Sequence, residues 1–238
     1  MNKINESNKY NDNEINLLSY KTAKKHDKRT YIQYYISLLK TKHLLFFSFC
    51  NSNDYNSSAI KIYIFFFTIQ IEYTISAMFY TDEAMHKIYE DEGNFDIIYQ
   101  MPQMLYSSLL SLIITNLICN LGLYEDNVLT IKNCKFVKLS KNVKREKKCI
   151  KTKIILFFIV TYILLISFWL YVGCFCAVYE NTQIHLLIEV LSGFGFSFIT
   201  PLIIYLIPGI FRIPSLKDGK ESNNPLLYKF SLILQNLL

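Results

Sequence analysis

The chain has 238 residues, of which 52% are hydrophobic, 16% aromatic and only 18% charged, with a formal net charge of +6. That balance departs from soluble-domain usage toward the membrane class, and the length leaves room for one or two small domains. The six cysteines contain no CxxC pair and no repeated spacing, so they do not read as a disulfide framework.

Residues 1–30 are polar, rich in lysine and asparagine, and carry no signal-peptide pattern. They hold too little apolar surface to fold alone and are expected to form a disordered, basic cytoplasmic tail. Residues 31–59 follow as an apolar stretch interrupted by Lys40, Lys42 and His43 and closed by the turn-rich NSNDYNSS. A charge at mid-helix costs ~2.5–3.5 kcal/mol on insertion scales. The stretch is therefore read as an amphipathic membrane-surface segment with its lysines toward anionic headgroups.

The first expected span covers about residues 60–80. Lys61 can snorkel, but Glu72 lies past the middle, on one helical stripe with Thr68 and Ser76. An acidic loop with Asp82, His86 and Glu90 at i, i+4, i+8 comes next. It reads either as a cation- or proton-sensing face or as an ordinary solvated one. The second span covers about 102–123, with Pro102 at its tolerated first turn. Ser107, Ser111 and Thr115 repeat every four residues on it, and Asn116 and Asn120 form a second pair. Such faces pack helix against helix in lipid.

Residues 132–153 carry ten lysines and arginines, a partner for anionic lipids. Cys149 within them is a candidate for lipidation. The third and fourth spans, about 154–179 and 185–211, are joined by a short polar turn. Cys174 and Cys176 read as packing cysteines. Glu189 is the second intramembrane carboxylate, one turn from the outer end. Gly193 and Ser197 make a small-xxx-small packing pair, and Pro208–Gly209 marks the expected helix end. Residues 213–238 read as a cytoplasmic tail ending in a short amphipathic helix, too short to span.

The sum is an all-α integral membrane protein with about four transmembrane helices in residues 60–212. Basic residues concentrate on the N-terminal side, in the middle loop and after the last span, while the two outer loops hold only Lys87. The positive-inside rule then places both termini in the cytoplasm. No HExxH, P-loop, GxSxG or GxGxxG is present. The sequence therefore argues against an enzyme and calls for no cofactor, metal site or nucleic-acid partner.

The segments HLLFFSFCNSNDYNSS, ISAMFY, IYQMPQMLYSSLLSLI and WLYVGCFCAVYENTQIHLLIEVLSGFGFSFITPL occur in that order. Over about residues 43–214 they resemble the membrane region of the receptor-like polycystins, between the PLAT domain and the channel helices, as in multi-pass proteins of protists. The resemblance implies a helical module packing in a larger receptor or channel complex. It carries over no pore, PLAT domain or ectodomain. The alternative from the residues themselves is an oligomeric ion channel or transporter using Glu72.

Overall fold

Several helices begin at a side-chain cap or a proline. The computed structural model describes residues 10–50, 54–90, 97–132, 139–179, 182–217 and 224–237, and among them every regular element is helical. Asn11 and Glu14 form a reciprocal capping box that starts α1 (Asp12–Asn16). α2 spans Tyr20–His26. Thr30 and Gln33 form a second capping box for α3 (Tyr31–Lys42). The helices α4 (Leu44–Phe49), α5 (Ser58–Phe79) and α6 (Asp82–Glu90) follow. Then come α7 (Ile97–Gly122), α8 (Glu125–Lys132), α9 (Leu139–Val178), α10 (Gln183–Ile204), α11 (Leu206–Leu216) and α12 (Pro225–Leu237). α12 opens on Pro225, with the Asn224 side chain accepting from the Leu226 and Leu227 amides.

Four helical stretches are long and apolar enough to cross a membrane: Ser58–Phe79, Ile98–Gly122, Val143–Val178 and Gln183–Leu216. This fits the all-α, multi-pass class.

The chain divides into two units. The larger, Tyr55–Ser197, is a bundle centred on α5. Over half of the apolar window of α5 is buried (56%), against 28% for α7 and 17% for each of the last two stretches. α7 and α9 pack on α5 and on each other. One end of the bundle is sealed by Ala77, Met85, Ile88, Phe175, Leu186 and Val190. At the other end, the Asn56 side chain accepts from the Tyr124 and Glu125 amides at the start of α8. Lys153 Nζ donates to the Leu123 carbonyl at 3.0 Å, covering the end of α7.

The smaller unit joins residues 1–54 to 198–238. α11 and α12 pack side by side, α3 lies on α11, α1 on α3 and α2 on α12. Tyr34, Leu38, Leu39 and Tyr205 form one core, and Ala23, Leu216 and Tyr228 another.

Several expected boundaries move. The tail is not disordered through residue 30: from Asp12 it carries two short helices, because capping and contacts with α3 and α12 supply what its own composition lacks. Its first nine residues lie outside the described ones, as do 51–53, 91–96, 133–138, 180–181, 218–223 and 238. Parts of the expected acidic loop, basic loop and outer turn fall there. The segment 31–59 is broken at His43, whose backbone is extended and whose ring donates to the Phe198 carbonyl at 3.0 Å. Its Lys42 does not reach outward but donates to the Gln235 carbonyl.

Pro102 is inside α7 rather than in its first turn, at the loss of one backbone bond. The basic segment is helical from Leu139, since Lys, Arg and Glu are good helix formers and no Gly or Pro interrupts 139–172. Pro208 does not end the fourth span. It sits in the first turn of α11, where a missing N–H has no partner to lose.

Candidate functional site

Within the larger unit, the two polar stripes read from the sequence meet. α5 presents Thr68, Glu72 and Ser76, all buried, and α7 presents Ser107, Ser111 and Thr115, also buried. Ser76 Oγ donates to Ser107 Oγ at 3.4 Å, and Ser107 Oγ donates to the Met104 carbonyl at 3.0 Å. The oxygens of Ser111 and Thr115 are buried without a hydrogen-bond partner.

Glu72 is 4% exposed. Its Oε1 accepts from Ser108 Oγ at 3.2 Å. A side chain on Gly193 of α10 would reach 3.3 Å from that same Oε1, so the glycine is what lets α10 lie against the carboxyl group. Glu189, four residues earlier on α10, is 1% exposed. Gln103 Nε2 donates to both of its oxygens, at 3.1 and 3.3 Å. The Tyr80 hydroxyl points at Glu189 but falls short of a direct hydrogen bond. Neither carboxyl group has a basic partner among the described residues.

The other candidates separate from this seam. Ser197 is exposed, one turn from the buried Gly193, so the expected small-residue pair does not act as one contact. Gly195 faces open space. Cys149 is exposed on α9, with the Asn127 amide 3.7 Å from its sulfur. Asp82, His86 and Glu90 form a solvated face: His86 pairs with Glu90 at 3.2 Å, and Asp82 accepts from Tyr179. Among the described residues no three His, Cys, Asp or Glu side chains converge to hold a metal ion.

Gln103 and Tyr80 were not singled out from the sequence, yet the signal was there. Gln103 extends the Ser107, Ser111, Thr115 repeat one turn back, and Tyr80 extends Thr68, Glu72, Ser76 one turn forward.

A second polar cluster, in the smaller unit, was missed altogether. Arg212 of α11 is fully buried and donates to Asp27 Oδ2 from Nε (3.1 Å) and Nη2 (3.0 Å). Its remaining contacts go to the Asn16 and Ile15 carbonyls, at 2.9 and 2.8 Å. Arg29 binds the same carboxylate through two nitrogens and reaches Asn16 Oδ1 and Ser37 Oγ. The Tyr34 and Tyr228 rings lie 5.0 and 4.9 Å from the Arg212 guanidinium carbon. Burial alone would push the Asp27 carboxyl up. The hydrogen bonds and charge of Arg29, then those of Arg212, outweigh it and hold the group below its ordinary value. Burial pushes the Tyr34 phenol up to about 12, so it stays neutral and donates to Gln235 at 2.9 Å.

Chemically, the two clusters differ. The arginine cluster is saturated by protein partners and holds the N-terminal helices to α11. The seam keeps two carboxyl groups among neutral hydrogen-bonding groups, with hydroxyls left over. No family model, curated protein or solved structure matches the chain.

Proposed function

We propose that this chain is a non-enzymatic membrane module whose helices pack with those of a polycystin-like receptor or channel partner. One observation carries the reading. Asn116 and Asn120 stand one turn apart on the exposed face of α7, within an otherwise apolar surface. Asn116 lies about 9 Å inside the end of that span. A carboxamide facing hydrocarbon at that depth lacks hydrogen bonds that a neighbouring helix supplies. The low burial of the last two apolar stretches leaves room for such neighbours. In this reading both termini are cytoplasmic. The exposed Lys144, Lys147, Lys148 and Lys151 of α9 sit beside anionic headgroups.

The test is purification of the full chain from its native membrane in mild detergent. A stoichiometric membrane partner is expected, and it is lost from the Asn116→Leu, Asn120→Leu double variant while insertion is unchanged. A chain that purifies alone in both forms defeats the proposal.

A further inference from the structure

The seam between α5, α7 and α10 is organised in a way that helix packing does not require. Ordinary packing of membrane helices uses small residues and a few paired hydroxyls. Here two carboxyl groups are buried at membrane depth, and among the described residues neither is paired with a lysine or arginine. α7 has no charged residue from 97 to 122, nor does α9 from 154 to 178. The nearest basic group on α5 is Lys61, eleven residues from Glu72 or ~16 Å along the helix. A carboxyl group buried at membrane depth without such a partner is a functional-site candidate by default.

The donors around the pair identify the ligand class. Glu72 receives an O–H from Ser108 and Glu189 an N–H from Gln103. These groups present hydrogens, not lone pairs, to the carboxyl oxygens. A metal cation needs several oxygen ligands converging on it, and this arrangement withholds them. A proton needs one oxygen.

The polar groups also form a file. The Ser76–Ser107 and Glu72–Ser108 bonds fix α5 and α7 as antiparallel neighbours in register. Gln103 and Glu189 then lie toward one end, Glu72 deeper, and Ser111 and Thr115 deeper still. From Gln103 to Thr115 the file runs ~18 Å, over half of a ~30 Å hydrocarbon core. Ser111 and Thr115 are more than nine-tenths buried with unpartnered hydroxyls. Buried hydroxyls without protein partners are met by water in native proteins.

We propose that this seam is a proton-binding relay with the carboxyl groups of Glu189 and Glu72 as its two stations. In each step a carboxyl O–H breaks as an O–H forms on an adjacent water or hydroxyl oxygen, and that oxygen releases its own proton to the next oxygen along the file. The carboxylate left behind takes its next proton from the water on its other side, so nothing is oxidised or reduced. The titratable neighbours are Tyr80, Tyr73 beside it and Cys176 of α9 beside Tyr73. His185 lies one turn from Glu189 on α10. The relay goes beyond the packing role proposed above and does not depend on the partner.

Two measurements on the full chain test it. Infrared spectra at neutral pH are expected to show protonated carboxyl bands that shift on transfer to D2O. One component is lost in Glu72→Gln and another in Glu189→Gln. In phosphatidylcholine–phosphatidylglycerol vesicles loaded with a pH dye, a potassium diffusion potential is expected to drive proton uptake above that of empty vesicles. Uptake falls to background in Glu72→Gln and is reduced in Ser111→Ala, Thr115→Val, whose folding does not depend on the carboxyl group. Carboxylates that are ionised at neutral pH, bands that do not exchange, or uptake no greater than in empty vesicles would each overturn the relay.

Discussion

Arg212 and Asp27 set the energetics at the scale of single residues. Both side chains are fully removed from solvent, and a second guanidinium, Arg29, shares the one carboxylate. Asp27→Asn strands two positive groups around a neutral amide. It is expected to cost about 3–5 kcal/mol, the penalty for breaking a buried ion pair from one side. Hydrogen exchange of the α1–α3 amides would register the loss as local deprotection.

The same site predicts a pH dependence. Asp27 is held below its ordinary value, so the unfolded chain takes up protons first as pH falls. The stability Asp27 contributes is complete above about pH 4 and fades as pH drops through the lower, folded value. Protection of α1–α3 that stays constant on acidification would contradict this. None of this was legible in the sequence, because 185 positions separate the partners and Asp27 sits in a run of lysines that reads as solvated. The seam was half legible. Four-residue spacing displayed each stripe on its own helix, but the Ser108–Glu72 and Gln103–Glu189 pairings belong to the packing of different helices.

At the scale of elements, glycines report how closely the helices approach. A Cβ on Gly209 of α11 would lie 2.7 Å from the Tyr31 ring and 3.3 Å from that of Tyr34. On Gly122 it would lie 2.8 Å from the ring of Phe157, which is fully buried. On Gly195 it would meet nothing. Gly209→Ala and Gly122→Ala are therefore expected to destabilise by about 1–3 kcal/mol. Gly195→Ala should leave stability unchanged or raise it by up to about 1 kcal/mol through helix propensity. Thermal melts of the three variants in one detergent distinguish these outcomes, and equal shifts would contradict the packing described. The spanning helices were evident from apolar runs alone, whereas their ends and the short polar helices α1, α2, α6 and α8 were not. A lysine-rich stretch resembles a loop by charge, yet it continues α9 to 40 residues, or ~60 Å.

For the whole molecule, that length gives a test of orientation. Cys149 and Cys174 are both exposed and lie on one continuous helix. They are ~37 Å apart along its axis, more than the thickness of the hydrocarbon core. In single-cysteine variants reconstituted in one orientation, an impermeant maleimide is expected to label Cys174 from outside and Cys149 only after the cytoplasmic face is opened. Labelling of both from one side would refute the proposed topology. The arginine cluster, finally, sets a timetable. Ile15, Asn16 and Asp27 are made first, but Arg212 emerges only after all the residues between, a wait on the order of 10–40 s at ordinary rates of synthesis. Until then α1 and α2 lack their hold on α11, and a segment translated early settles late.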